Sequence, residues 1–209
     1  MGKIKVKRYL VSDFGTNCYF AINEDTKEML VIDPGENAPM LSQEIQKEQL
    51  KPVAVLLTHG HLDHAKAAED LAKKYEMPIY AYKTEKETLE NPRMNLSSAF
   101  GKSESYHADR YVIDGELVSL LGCSIEVLFT PGHTPGGCCY YFKEEKILFS
   151  GDTLFCQSVG RSDFPGGSSS TLIRSIREKL LNLPEEVVVY PGHMDETSIG
   201  SEKKYNPFV

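Results

Sequence analysis

The chain has 209 residues, 41% of them hydrophobic and 25% charged, enough for one large globular domain with a substantial core. A net charge of -7 argues against the basic stripe of a nucleic-acid binder, although divalent metals would add positive charge locally and leave an anionic substrate open. No run reaches the roughly 18 apolar residues of a membrane span, and the N-terminal MGKIKVKRYLVSDF lacks the apolar core of a signal peptide, so the expected location is the cytoplasm.

The stretches 3–10 (KIKVKRYL), 17–23 (NCYFAIN) and 28–33 (EMLVID) read as three early strands, antiparallel because their connections are short. Asp33, Pro34 and Gly35 then form a turn, and Met40, Leu41 and Ile45 give helical spacing over 38–48. The apolar run 52–57 (PVAVLL) predicts a buried strand, followed by a helix over 65–75 with Ala68, Leu71, Ala72 and Tyr75 on one face. PIYAY (78–82) is a further strand, and Thr84 is placed to cap a short helix through Leu89. The polar, aperiodic segment 91–106 reads as a long surface loop.

Strand patterns resume at 124–130 (SIEVLFT), 138–142 (CCYYF), 146–150 (KILFS) and 186–190 (EVVVY). Between the last two, 170–181 carries a helical stripe of Leu172, Ile173, Ile176 and Leu180. Short strands alternating with helical windows indicate a mixed α/β architecture, and with no linker or low-complexity tract the expectation is a single domain over 1–209. The five cysteines, Cys18, Cys123, Cys138, Cys139 and Cys156, form no CxxC pair, which suggests reduced thiols serving as small core residues. Cys156, shortly after Asp152, is placed to line a site without being a ligand.

Five of the six histidines fall in three short strings. THGHLDHA carries His59, His61, Asp63 and His64; FTPGHT carries His133; VVYPGH carries His193; and FSGDT adds Asp152. Apolar strands that end in a turn delivering histidine or aspartate are expected where a site is built on the edge of a sheet. His59 and His61, two apart on an extended loop, can point to one side, while Asp63 and His64 open the next helix and can face a second ion. Pro131-Gly132 and Pro191-Gly192 share one grammar: proline ends the strand and glycine permits the bend that swings histidine inward. Imidazole and carboxylate suit zinc first, and also iron or manganese, and the lack of thiolates argues against a closed structural zinc site. His107, in the polar SESYHADR, reads as solvated and outside the cluster.

HGHLDH matches the HxHxDH signature of the metallo-β-lactamase fold superfamily, and the later His, Asp and His follow its remaining motifs in order. The resemblance implies an α/β fold, a four-layer αββα sandwich with the site at one edge of two sheets. It also implies that His59, His61 and His133 hold one metal, that Asp63, His64 and His193 hold a second, and that Asp152 bridges them. Within the superfamily the chain resembles the glyoxalase II-like hydrolases, through GDTLF, GRSDFPGGS and the closing PGHMDETSIGSEKKYNPF. Secreted zinc β-lactamases usually place cysteine where Asp152 stands, which counts against antibiotic hydrolysis. The chain ends about where the C-terminal, glutathione-binding domain of full-length glyoxalase II would extend, which leaves the thiol carrier open.

The activity implied is hydrolysis of a small-molecule thioester to a carboxylic acid and a thiol. Two divalent ions make hydroxide available near neutrality. Asp63 acts both as ligand and as the acceptor that orients the attacking water, and a thiol leaving group of pKa roughly 8.5 needs little general acid. In glyoxalase II a basic residue binds the thiol carrier at the place of Arg161, which can instead pair with Asp163. A persulfide dioxygenase holding a single iron through His59, His133 and Asp152 is the alternative reading. A nuclease is disfavoured by the acidic balance.

Overall fold

The structure, a computed structural model, describes residues 3–209, so that Met1 and Gly2 of the expected 1–209 domain lie outside the described residues. It opens with β1 (Ile4–Leu10), β2 (Asn17–Asn23) and β3 (Glu28–Ile32), antiparallel neighbours as their short connections require. Helix α1 (Ala38–Lys47), β4 (Lys51–Leu56), the single turn α2 (Leu62–Ala65), α3 (Ala68–Tyr75), β5 (Ile79–Tyr82), α4 (Lys86–Glu90) and β6 (Arg110–Val112) follow. β3 to β6 pair in parallel, completing a six-stranded sheet in sequence order.

The second sheet collects β7 (Leu117–Leu120), β8 (Cys123–Phe129), β9 (Cys138–Phe142) and β10 (Ile147–Gly151) as an antiparallel meander. A small hairpin, β11 (Leu154–Phe155) and β12 (Ser158–Val159), and helix α5 (Ser169–Ser175) intervene before β13 (Val188–Pro191). β13 returns parallel to β10, and β14 (Thr197–Ser198) leads into α6 (Ile199–Tyr205). The sheet order is β14-β13-β10-β9-β8-β7.

Period-two alternation explains how two sheets make three apolar layers. From β2 and β3, Cys18, Phe20, Ile22, Met29 and Val31 face the helices α1 and α3, where Leu41, Ile45, Leu71 and Ala72 cover them. Their alternates Tyr19, Ala21, Leu30 and Ile32 face the other sheet and meet Ile125, Val127, Tyr140, Phe142 and Phe149. On the far side Leu128, Cys139, Tyr141, Leu148 and Val189 pack under Leu172, Ile176, Leu180 and Ile199. The result is the αββα order. Adjacent Cys138 and Cys139 enter different layers, and all five cysteines are free, four of them buried.

Several local expectations are corrected. The helix expected over 65–75 is broken, because the Ala67 N–H bonds the Pro34 carbonyl at 2.9 Å instead of continuing the turn of α2. Thr84 caps nothing: Lys83–Glu85 is a 3₁₀ turn, and α4 begins after Glu85 without a side-chain cap. The helix at 170–181 is α5 continued by a wider π turn over Ile176–Leu180. The 91–106 loop is pinned from inside, with buried Asn95 donating to the carbonyls of Leu89 and Glu104, both at 2.9 Å. β6, β7, β14 and α6 lie in stretches where no element was expected. No helix among the described residues is long and apolar enough to cross a membrane.

Candidate metal centre

Strand ends from both sheets converge on one edge of the sandwich. The segment after β4 carries His59, His61, Asp63 and His64; the ends of β8, β10 and β13 carry His133, Asp152 and His193. In each of two groups, His59/His61/His133 and Asp63/His64/His193, one donor atom per residue lies within 4.8 Å of the others. His133 Nε2 is 2.9 Å from His61 Nδ1, and the His59 and His61 rings are 4.8 Å apart and nearly perpendicular. Asp152 lies between the groups: Oδ2 is 3.5 Å from His133 Nε2 and 3.4 Å from His193 Nε2, and Oδ1 is 3.4 Å from His64 Nε2. All seven expected donors therefore meet in one place. His107 does not; it is exposed and pairs with Glu69 at 3.0 Å.

The orientation of these donors comes from residues behind them. His133 Nδ1 donates to the Arg161 carbonyl at 2.6 Å, which leaves Nε2 with its lone pair toward the site. His64 Nδ1 donates to Asp33 Oδ2 at 3.0 Å. Asp33 also accepts from Thr58 Oγ1 at 2.6 Å and from Thr58 N at 2.8 Å, and Thr58 Oγ1 lies 3.1 Å from His59 Nδ1. Asp63 Oδ2 accepts from Thr16 Oγ1 at 2.8 Å. On β2, Asn17 Nδ2 and Tyr19 OH hold the Pro191 carbonyl at 2.9 and 2.7 Å, fixing the turn that presents His193. In the sequence Asp33 has only the signature of a turn residue, and Thr16, Asn17 and Tyr19 carry no signal in their own strings.

The glycine grammar holds only in part. Gly132 has φ +139, a backbone that favours glycine, as expected. Gly192 is needed for space rather than for its dihedral, since a Cβ there would come 2.2 Å from Asp152 Oδ1 and 2.7 Å from His64 Cε1.

GRSDF acquires a local explanation. A Cβ on Gly160 would sit 1.8 Å from the Asp152 carbonyl, Arg161 offers its carbonyl to His133, and the Phe164 ring meets His61 edge-on at 5.5 Å. The Arg161 guanidinium is exposed, forks onto Asp163 at 2.8 and 3.0 Å, and lies 4.4 Å over the Phe164 ring. Cys156 is half-buried in the link between β11 and β12, outside both donor groups.

The two groups differ in charge. Burial, with the neighbouring histidines, pushes His59 and His61 well below the usual imidazole range, and burial also lowers His133. Burial acts the same way on His64 and His193 but is outweighed by carboxylates. Asp63, Asp152 and Asp33 push His64 up to about 9, and Asp152 and Asp63 push His193 up to about 11. Asp63 is held well below the usual carboxylate range and Asp152 at about 2, against burial, chiefly by the nearby imidazoles.

The donor set fits divalent ions on the chemistry shown. Three neutral imidazoles converge, two ionised carboxylates lie beside them, and His59 Nε2 and Asp152 Oδ1 are buried without a hydrogen-bond partner among the described residues. Residues 11–193 match the family described as the metallo-beta-lactamase superfamily. The chain belongs to that superfamily. This metallo-hydrolase superfamily member is 39% identical to the hydroxyacylglutathione hydrolase GloC of Haemophilus influenzae, over 95% of each chain. Among solved structures it is similar to the BLEG-1 B3 metallo-beta-lactamase, with a TM-score of 0.93 and 39% identity over 98% of this chain and 99% of that one. It is also similar to TTHA1623 in a di-iron-bound form, with a TM-score of 0.86 and 34% identity over 97% of this chain and all of that one. The αββα fold is that of the superfamily, and the paired donor groups suggest a dinuclear metal centre.

Proposed function

We propose that the protein is a glyoxalase II-like thioester hydrolase, cleaving an S-2-hydroxyacyl thiol to a 2-hydroxy acid and a thiol. The observation that carries this reading is the carboxylate of Asp152, within 3.5 Å of imidazoles from both donor groups, in a chain 39% identical to a hydroxyacylglutathione hydrolase. That relative is matched over 95% of its own length, so the activity in its name is carried by a chain of about this extent.

His59, His61 and His133 would hold one ion, Asp63, His64 and His193 the other, and Asp152 both, with zinc first and iron or manganese accommodated by the same donors. Such a pair of ions supplies a water deprotonated near neutrality and a Lewis acid for the thioester carbonyl. Asp63 stays ionised; its Oδ2 is fixed by Thr16 and it orients the attacking water as an acceptor. The bonds that His133 Nδ1 donates to the Arg161 carbonyl and His64 Nδ1 donates to Asp33 Oδ2 keep the Nε2 lone pairs aimed inward. Attack at the carbonyl breaks the C–S bond, and the thiolate leaves with little protonation because its conjugate acid has a pKa of about 8.5. Freed from Asp163, the Arg161 guanidinium would grip a carboxylate of the thiol carrier. The five free cysteines fit a reducing cytoplasm, where a thiol carrier is at hand.

The test is metal quantification on purified protein beside three assays: lactoylglutathione hydrolysis, hydrolysis of a β-lactam, and oxygen uptake with glutathione persulfide. Two metals per chain and thioester turnover are expected. One iron per chain with oxygen uptake would replace the hydrolase by a persulfide dioxygenase, and faster β-lactam than thioester hydrolysis would move the activity to that of the BLEG-1 neighbour.

A further inference from the structure

Glu85 reads in the sequence as part of a charged run, KTEKET, yet its side chain is completely buried. It closes the 3₁₀ turn after β5 and projects into the gap between the two loops that carry the first group of imidazoles. Oε1 accepts the Gly60 N–H at 2.8 Å, and Oε2 accepts the Thr134 hydroxyl at 3.1 Å. Gly60 lies between His59 and His61; Thr134 directly follows His133. One carboxylate thus spans the two loops, which come from different sheets.

The approach is tight on both sides. A Cβ on Gly60 would come 2.9 Å from Leu89 N, and one on Gly136 would come 2.5 Å from Glu85 Oε2 and 2.3 Å from Glu85 N. Burial raises the Glu85 carboxyl to about 7, and the groups that oppose this are hydrogen-bond donors, first the Gly60 N–H, then the Thr134 hydroxyl, and after them the Gly136 N–H and the Thr88 hydroxyl. A buried carboxyl is costly unless its bonds are made. Here those bonds run to the neighbours of metal-site histidines.

We propose that Glu85 is a positioning residue for the His59/His61/His133 group, clamping the His59–His61 turn to the His133 turn and so setting the spread of the three imidazoles. The inference rests on reading those histidines as metal ligands. Glu85 touches neither substrate nor metal; it acts through Gly60 and Thr134. An amide at this place can accept from Gly60 N–H and donate to Thr134 Oγ1, so the clamp needs the two bonds rather than the charge.

The experiment is competitive Zn²⁺ titration of chelator-stripped, full-length protein in a His193→Ala background, which isolates the first group. Glu85→Ala should weaken Zn²⁺ binding by about 10- to 100-fold, as loss of an orienting residue does, and Thr134→Val should follow in the same direction. Glu85→Gln should stay close to the parent. Leu71→Ala, in the helix-side core and in neither hydrogen bond of the clamp, serves as a control that lowers apoprotein stability. Thr134→Val guards against a Glu85→Ala chain that does not fold. Parental affinity in both loop variants, or an equal loss in the Leu71 control, overturns the clamp alone. A parent that takes up no Zn²⁺ overturns the metal reading and the clamp with it.

Discussion

The two halves of the donor cluster reach the same density of ligands by opposite electrostatics. The His59/His61/His133 half is buried, all-imidazole and neutral, with each ring pushed below its ordinary range. The Asp63/His64/His193 half is more open, with His193 22% exposed, and in it carboxylates draw protons onto the imidazoles. A cation entering the first half displaces no proton; one entering the second competes with protons on His64 and His193. The difference teaches that the halves are unequal partners, with Asp152 the group that couples them.

The largest effect should come from removing that coupling. Asp152→Asn keeps the shape but removes the charge that faces both groups, and kcat for the proposed thioester hydrolysis should fall at least about 100-fold, the upper end of what loss of a residue that merely orients a ligand costs. Metal content should drop from two toward one per chain. Two retained metals with near-normal kcat would show that the halves work without this bridge.

Asp33 should sharpen the comparison next. It bonds His64 directly and reaches His59 only through Thr58, so Asp33→Asn should weaken the second group about 10- to 100-fold and the first group less. Chelator competition in His193→Ala and His61→Ala backgrounds separates the two. Equal loss in both would mean that Asp33 supports the edge as a whole.

The five histidines and two aspartates were legible in the sequence because they cluster in short strings that follow apolar strand runs, four of them in THGHLDHA and one each in FTPGHT, FSGDT and VVYPGH. Their supports were not. Asp33 meets its partners 25 and 31 residues away, Thr16 meets Asp63 47 residues away, and Glu85 meets Thr134 49 residues away. Such contacts depend on which strands become neighbours, and KTEKET has the composition of a solvated surface. The strands β2, β3, β8, β9 and β10 were legible because they are strongly apolar, whereas their αββα layering followed only from the resemblance to the superfamily. Helix α6 was not, because only Ile199 and Glu202 of its seven residues are buried and no apolar stripe marks it.

A pH titration of metal-free protein tests the contrast more gently. An unfolded imidazole titrates near 6.5. His59, His61 and His133 have folded values below this, so their contribution to stability is complete above about 6.5 and is lost as pH falls. His64 and His193 have raised folded values of about 9 and about 11, so theirs is complete below about 6.5 and is lost as pH rises through those values. Urea unfolding after chelation should therefore show stability falling on both sides of a maximum near neutrality. His193→Gln should flatten the alkaline limb, and it should also weaken the most acidic part of the curve, where His193 helps to hold Asp63 and Asp152 low; an unchanged alkaline limb would reverse the assignment of charge to the two halves.

The smallest effect belongs to Arg161, which serves the site through two different atoms. Its carbonyl orients His133 and survives any side-chain substitution, while its guanidinium is spent on Asp163 and the Phe164 ring. Arg161→Ala should therefore leave metal content and thermal stability near wild type, since an exposed ion pair contributes little. If the guanidinium leaves Asp163 to grip the thiol carrier, KM should rise several-fold with kcat nearly unchanged, the signature of lost uniform binding. Asp163→Ala should then lower KM by freeing the same group. If both variants keep the wild-type KM, Arg161 belongs to the scaffold of the His133 half through its backbone alone.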